Sequence, residues 1–283
     1  MPHMPAETTI AAPAQLYYRH TLPVRVMHWI NVVALTVLFM SGLQIFNAHP
    51  ALNFGKSSYD GKPPVLEIGA RMGANGQPQG VTRIFGKEFD TTGYLGVTRG
   101  PQGDYVASTF PQWMMLPGPQ WLSMARSWHF FFAWLFVLNG LAFIAYALAS
   151  RHLTRDLAPT RDDLRGIGAS IRDHLRFKHP TGEAAKRYNV LQKLAYLIVV
   201  FFLLPLIVLM GFAMSPWLDA ILVGWVDIVG GRQSARSIHF IIAWLLVAFV
   251  AIHVFQVIVT GLWNNLRSMI TGRYRVPPEA RHE

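Results

Sequence analysis

Cysteine is absent from this sequence of 283 residues. A chain without thiols forms no disulfide, holds no thiolate-bound iron–sulfur cluster and carries no covalently attached c-type haem. Charged residues are also scarce, at 14% of the chain, whereas soluble domains carry about 25%. Hydrophobic residues make up 52%. This composition predicts a membrane protein, and one membrane domain over residues 1–283 is the simplest organisation.

Four apolar runs are each long enough to supply the ~20 residues that cross a bilayer as a helix. None of the runs contains Asp or Glu. Their predicted bounds are about 24–46, 122–149, 190–214 and 235–262. The sequence therefore predicts an all-α integral membrane fold, a four-transmembrane-helix bundle with a long extracytoplasmic loop at 47–120, between the first and second helices.

Basic residues are concentrated in three of the polar segments. Residues 1–25, the stretch 151–193 and the C-terminal tail from Arg267 hold 16 of the 25 Lys and Arg residues. Because such segments stay on the cytoplasmic side, we predict that both termini and the 150–189 loop are cytoplasmic and that the 47–120 insertion faces the periplasm or the exterior. The net charge of +10 is then a sign of orientation in a lipid bilayer, and nucleic acid is not an expected partner.

A short internal repeat places histidines in two of the spans. Ala125–Val137 (ARSWHFFFAWLFV) and Ala235–Val247 (ARSIHFIIAWLLV) match at nine of 13 positions, and the repeat puts His129 at the depth of His239. His253 follows 14 residues after His239, a rise of about 21 Å along a helix and a rotation of only about 40°. Ionisable residues inside a bilayer are costly, and by default they indicate function.

The span histidines form two pairs by depth. His129 and His239 lie near the outer side, whereas His28, which begins the first span, and His253 lie near the inner side. Two facing imidazoles can hold a haem iron from both axial positions, and such a haem only passes electrons. Zinc would need ligands clustered around one ion, and a proton relay usually includes carboxylates. We interpret the four as ligands of two b-type haems, with a histidine-dependent transporter as an alternative.

Arginines accompany three of these histidines. Arg25, Arg126 and Arg236 each lie three residues before a histidine, one turn away on the same helix face. Their guanidinium groups would neutralise haem propionates through charge-assisted hydrogen bonds. The alternative is ordinary snorkelling of arginine at helix ends.

Three further span residues have two interpretations each. Asn31 and Gln256 follow the inner histidines by one turn and could contact a quinone head, or could hydrogen bond between helices. Gly42 lies 14 residues after His28. It could let a flat cofactor approach the backbone, or could serve helix packing.

The histidine pattern resembles that of the prokaryotic cytochrome b561 family, which includes the b-type subunits of nickel–iron hydrogenase and formate dehydrogenase. One histidine lies on the first span, one on the second, none on the third and two on the fourth. The opening Arg19-His20…Pro23-Val24-Arg25…His28-Trp29 is most similar to the thiosulfate reductase cytochrome b branch. The resemblance covers about 20–47 and 120–265.

The resemblance implies a dihaem cytochrome with quinone chemistry near the inner haem. It implies ligation of the inner haem by His28 and His253 and of the outer haem by His129 and His239. Such subunits commonly anchor a periplasmic, molybdenum-containing oxidoreductase and exchange electrons with the quinone and quinol pool. The 47–120 insertion is then expected to dock this partner. The alternative is a stand-alone superoxide:quinone oxidoreductase, so whether the chain is itself an enzyme stays open.

Replacing one inner histidine tests the pairing. The substitution His253→Ala should remove the inner haem and spare the outer one, because each haem has its own pair of ligands. Pyridine haemochrome content per protein should then fall by about half. Loss of all haem, or of none, would contradict the pairing.

Overall fold

The computed structural model describes residues 16–58, 61–74, 76–100, 102–118, 120–151, 153, 158–176 and 189–276. The chain divides into two compact units. The first unit comprises 1–26, 146–197 and 251–283, and the second comprises 27–145 and 198–250. The expectation of a single membrane domain stays a prediction.

Helices account for most of the described residues. In chain order they are α1 (Leu22–Asn47), α2 (Leu122–Ala149), α3 (Arg161–Arg165), α4 (Ile167–Leu175), α5 (Val190–Ile198), α6 (Leu204–Ala213), α7 (Pro216–Ile221), α8 (Arg232–Val259) and α9 (Leu262–Thr271). Short 3₁₀ turns cover Gln112–Met114 and Trp225–Val229. Four helical stretches in this part of the chain are long and apolar enough to cross a membrane, namely α1, α2, Val190–Ala213 and α8.

The first three predicted spans match these helices to within two residues, but the fourth differs. Helix α8 begins at Arg232 and ends at Val259, three residues before the predicted bound at each end. Gly261, with a φ of +107°, ends the continuous helix, because this backbone conformation favours glycine. Leu262 therefore starts the separate helix α9.

The third span changes its winding in the middle. Residues Val199–Leu203 form a π-helical turn between α5 and α6. Pro205 is the second residue of α6; it lacks an N–H group, and its ring excludes the carbonyl four residues before it. A π turn takes up this mismatch without ending the helix.

The long loop predicted at 47–120 is not confirmed, because these residues contain β strands. It contains the strands β2 (Ala51–Leu52), β3 (Leu66–Met72), β4 (Pro78–Ile84), β5 (Lys87–Asp90), β6 (Val97–Arg99) and β7 (Tyr105–Ala107), numbered after β1 (Leu16–Tyr18). Strands β2 to β5 form an antiparallel sheet in that order, and β6 pairs with β7. The cause is visible in β4, where buried and less buried residues alternate, as in a strand with one covered face.

Two glycines let the β6–β7 ribbon lie directly on the sheet. A Cβ on Gly80 would come within 2.2 Å of the Leu95 carbonyl oxygen, and one on Gly96 within 2.1 Å of the Gly69 carbonyl oxygen. The close approach places an apolar cluster between the insertion and the outer half of α1. Its buried members are Leu43, Phe46, Leu52, Ile68, Phe110 and Met115. The insertion is thus packed onto the end of a membrane helix.

The first unit contains a terminal β ribbon and short helices. Strand β1 pairs with β8 (Arg273–Arg275) in antiparallel fashion. From the 150–189 loop the structure describes α3 and α4, and residues 177–188 lie outside the described part. The Nζ of Lys193 lies 2.7 Å from Asp163, and this hydrogen bond is the main reason that the pKa of Asp163 is lowered to about 2.

Candidate functional site

The second unit brings two of the predicted ligands together. His129 on α2 and His239 on α8 face each other with ring centroids 6.3 Å apart and ring planes inclined by 59°. The repeat explains the placement, because it gives both helices an alanine one turn before the histidine. Ala125 and Ala235 are each fully buried, which lets the two helices enter the packed interior at matched depth.

Hydrogen bonds hold both imidazoles by the same ring atom. The Nδ1 of His239 lies 2.9 Å from the carbonyl oxygen of Ile207. A carbonyl only accepts, so Nδ1 carries the proton. The Nδ1 of His129 lies 3.1 Å from the Ser41 hydroxyl, which donates its own proton to the Val37 carbonyl at 2.6 Å. With its proton on Nδ1, each ring in its neutral form has a free lone pair on Nε2.

This arrangement fits a metal ion or a haem iron between the two rings. An imidazole–metal bond is about 2.0 Å, and adding about 1 Å from each nitrogen to its ring centre gives centroids about 6 Å apart, close to the observed 6.3 Å. Metal-binding histidines commonly donate their second ring N–H to a protein oxygen, as both do here. Within the described residues no group of three or more His, Cys, Asp and Glu could hold a metal ion. Two imidazoles alone suit a porphyrin iron, whose other four positions are filled by the ring.

A glycine lies against each imidazole. A Cβ on Gly42 of α1 would be 3.5 Å from Cε1 of His129, and a Cβ on Gly211 of α6 would be 3.6 Å from Cε1 of His239. These are contact distances, so any side chain longer than alanine would meet the ring. Gly42 therefore lies beside a predicted ligand on another helix. The two glycines form matched walls for the two rings.

The predicted propionate partner Arg236 has protein partners in this structure. It donates to the carbonyls of His49 and Ala51, and its guanidinium lies 5.5 Å from the Phe46 ring centre. Burial, followed by the positive charge of Arg236, lowers the pKa of His49, while Glu67 opposes the shift. His49 is accordingly neutral at pH 7. Arg236 thus ties the start of α8 to the segment that follows α1, and its propionate role stays a prediction.

The other two predicted arginines lie in different surroundings. Arg25 donates to the carbonyl of Ile270 on α9, within the first unit. Arg126 is exposed on α2, with its guanidinium 5.9 Å from the Phe130 ring centre. Their contact with propionates also stays a prediction.

The inner histidines belong to different units. His28 lies in the second unit, half-buried, with its ring packed edge-on against Trp29 at 5.6 Å. His253 lies in the first unit on an exposed face of α8. Their pairing around an inner haem stays a prediction.

One of the two amides predicted to contact quinone takes part in hydrogen bonding between helices. The Nδ2 of Asn139 on α2 donates to Oδ1 of Asn31 at 2.8 Å and to the Met27 carbonyl at 2.9 Å on α1. This is the alternative interpretation of Asn31. Gln256 is half-buried on α8, and its backbone carbonyl accepts from the Thr260 hydroxyl at 2.7 Å.

Sequence reasoning missed Ser41, Ile207 and Gly211. The repeat could have pointed to Gly211, because a matched histidine on the fourth span calls for a small residue on the third, as Gly42 is on the first. No sequence signal marks Ile207, because its contribution is a backbone carbonyl.

These features define a class of protein: a multi-pass membrane protein whose apolar helices present a facing pair of imidazoles. The chain belongs to the prokaryotic cytochrome b561 family, whose model matches residues 19–272. Members of this family bind b-type haem and act in membrane electron transfer.

Two relatives show the breadth of the similarity. The chain is 28% identical over 258 residues to the putative protein-methionine-sulfoxide reductase subunit YedZ1 of Azospira oryzae, covering 91% of this chain and 98% of the relative. It is 23% identical over 269 residues to the probable Ni/Fe-hydrogenase B-type cytochrome subunit of Cupriavidus necator, covering 90% and 85%. No solved structure matches the chain.

The hydroxyl of Ser41 offers a test of the outer site. The substitution Ser41→Ala removes the acceptor that orients His129, and loss of such a partner typically weakens binding about 10-fold or more. Haem retention in competition with apomyoglobin should fall accordingly. Ser127→Ala is the matched control, because this exposed hydroxyl donates within its own helix to Ser123. Equal retention in the two variants would argue against the site.

Proposed function

We propose that this chain is a dihaem b-type cytochrome of a bacterial inner membrane that carries electrons between the quinone pool and a periplasmic oxidoreductase. The observation that carries the proposal is the outer pair, in which the rings of His129 and His239 lie side by side with centroids 6.3 Å apart. We assign the inner haem to His28 and His253 from their positions along the helices.

The site residues have separate tasks in this function. A haem held by two imidazoles has no open coordination position and, when bound, supplies one-electron transfer. The Ser41 hydroxyl and the Ile207 carbonyl fix the ring orientations of His129 and His239. Because both rings are held before any ligand arrives, little reorganisation is needed when the site is filled.

Charge placement and the relatives support the rest of the proposal. Residues 1–25, 151–193 and 267–283 hold 16 of the 25 basic residues, which favours cytoplasmic termini and a periplasmic insertion. Both relatives carry the word subunit in their names. This favours a subunit that serves a partner oxidoreductase over the stand-alone superoxide:quinone oxidoreductase.

The hairpin of β4 and β5 is the part of the insertion that we propose contacts the partner. Ile84 and Phe89 are 41% and 50% exposed. They lie on one face of the hairpin. Phe89 is paired with Thr82 across the strands, and Ile84 follows Thr82 by two residues, so all three side chains point to the same side. Phe85 at the turn is 80% exposed and has a φ of +46°, a conformation that is unusual for a bulky residue. An exposed aromatic held in such a turn suggests selection for contact with another surface.

The hairpin permits a substitution that removes the aromatic and improves the turn. Phe85 and Gly86 both have positive φ, and Asn-Gly is the preferred sequence for such two-residue turns. Phe85→Asn should therefore keep the fold and haem content while reducing recovery of the partner in affinity purification from the native membrane. Trp263→Asn on α9 is the control, since this residue is similarly exposed. Undiminished recovery with Phe85→Asn would reject this contact.

Transmembrane electron transfer has a direct test. Proteoliposomes would hold ferricyanide inside and receive dithionite outside, neither of which crosses lipid as an anion. The wild-type protein should reduce the enclosed ferricyanide. His239→Ala should reduce it at least about tenfold more slowly, because one axial ligand is missing. Equal rates for His239→Ala and wild type would contradict the proposal.

A further inference from the structure

Helix α9 packs polar side chains inward and leaves apolar ones exposed. Ser268 is only 1% exposed, and the side-chain amide of Asn264 exchanges two hydrogen bonds with the backbone of Arg275 on β8. Trp263 and Ile270 are 79% and 60% exposed, and their separation of seven residues places them on one face of the helix. A helix on a water-facing surface has the opposite arrangement. The outer face of α9 is therefore suited to an apolar environment.

Helix α9 and the β1–β8 ribbon lie at the start of α1, within the first unit. The backbone N–H of Arg19, between β1 and α1, donates to the Gly272 carbonyl at 2.8 Å. The guanidinium of Arg25, on the first turn of α1, donates to the Ile270 carbonyl near the end of α9. Helix α9 also begins only three residues after α8 ends. These links hold α9 and the ribbon at the level where apolar spans leave the bilayer.

The exposed face of the β1–β8 ribbon carries two arginines beside apolar side chains. Arg273 lies opposite Tyr18, and in the same register the next exposed pair is Arg275 with Leu16. Directly opposite side chains share one face of an antiparallel pair, and all four are exposed. Tyr274, between the two arginines, is only 7% exposed, so the other face is packed against the protein. The ribbon thus presents cationic and aromatic groups together, away from its packed side.

Neither of these arginines has a countercharge within the described residues. The guanidinium groups of Arg273 and Arg275 have no hydrogen-bond or ion-pair partner there, and α9 and both strands of the ribbon contain no Asp or Glu. Residues two apart in a strand are separated by about 7 Å, so both long side chains can reach one anionic group. The planar fork of arginine matches the oxygens of a phosphate. The face therefore has the chemistry of a phosphate site with apolar edges.

We propose that α9 and the β1–β8 ribbon bind an anionic phospholipid of the surrounding bilayer. Arg273 and Arg275 bind the headgroup phosphate, while Trp263 and Ile270 face the boundary between headgroups and acyl chains. Tryptophan favours this layer, and basic groups beside a span attract anionic lipid. Amphipathic helices lie at the same boundary with their apolar face buried. The inference requires only that α1 and α8 cross the bilayer, so it stands apart from the haem sites and the proposed electron transfer.

Native mass spectrometry of the full-length protein in detergent would measure this lipid preference. The wild-type protein should retain phosphatidylglycerol over phosphatidylcholine when the two are supplied in equal amounts. The double substitution Arg273→Gln with Arg275→Gln should reduce the preference by about 30-fold, because each arginine at the surface contributes about fivefold. The matched control, Lys87→Gln with Arg99→Gln, removes two exposed charges from the insertion and should leave the preference unchanged.

Added ammonium acetate tests the wild-type protein even where the double variant fails to fold. The preference should fall as ionic strength rises, because exposed charges are screened. Three results would overturn the site: an unchanged preference in the ribbon variant, an equal loss in the control, or a wild-type preference that salt does not alter. A wild-type protein without any preference would reject it too, and would leave the exposed face of α9 to a protein partner. Displacement of the lipid by equimolar inorganic phosphate would assign the two arginines to a soluble anion instead.

Discussion

The hydrogen bonds to the Nδ1 atoms of His129 and His239 are the constraint on which the site depends. Free imidazoles in an apolar bundle could rotate or exchange tautomers, and neither state would reliably present a ligand. Here a serine hydroxyl holds one ring and a backbone carbonyl holds the other. Both Nε2 atoms are thereby left as acceptors. The surrounding helices supply these partners from positions that a membrane bundle can keep rigid.

The outer end of α1 joins the site to the insertion. Ser41 and Gly42 meet the His129 ring, while Leu43 and Phe46 on the same turns belong to the cluster that packs the β strands. Arg236, one turn before His239, is bound to carbonyls of the segment that follows α1. A displacement of the insertion would therefore move residues that lie within one helical turn of His129 or His239 or in contact with them. If the insertion docks the partner as proposed, this connection is a short route from the partner to the outer histidine pair.

The sequence was sufficient for the membrane helices and for the matched depth of His129 and His239, and the physical reasons differ. Twenty apolar residues without acids have few other stable states, so the helix bounds followed from length and composition. The repeat around His129 and His239 aligned the two helices, and this alignment showed that the two histidines lie at the same depth in the membrane. By contrast, the contacts of Gly42 and Gly211 depend on how each helix is rotated about its axis. A helix that is apolar on every face gives no sequence signal for that rotation. Ile207 acts through its backbone and has no sequence signature.

The insertion was harder to predict because its strands are short and rich in glycine. Gly80 and Gly96 lie where backbone meets backbone, and such close approaches have no sequence pattern of their own.

The most direct test of the account is the iron content and electron paramagnetic resonance spectrum of the purified wild-type protein. The account predicts two low-spin haems per chain, each with two imidazole ligands. A colourless protein, or a high-spin haem with an open axial position, would contradict it.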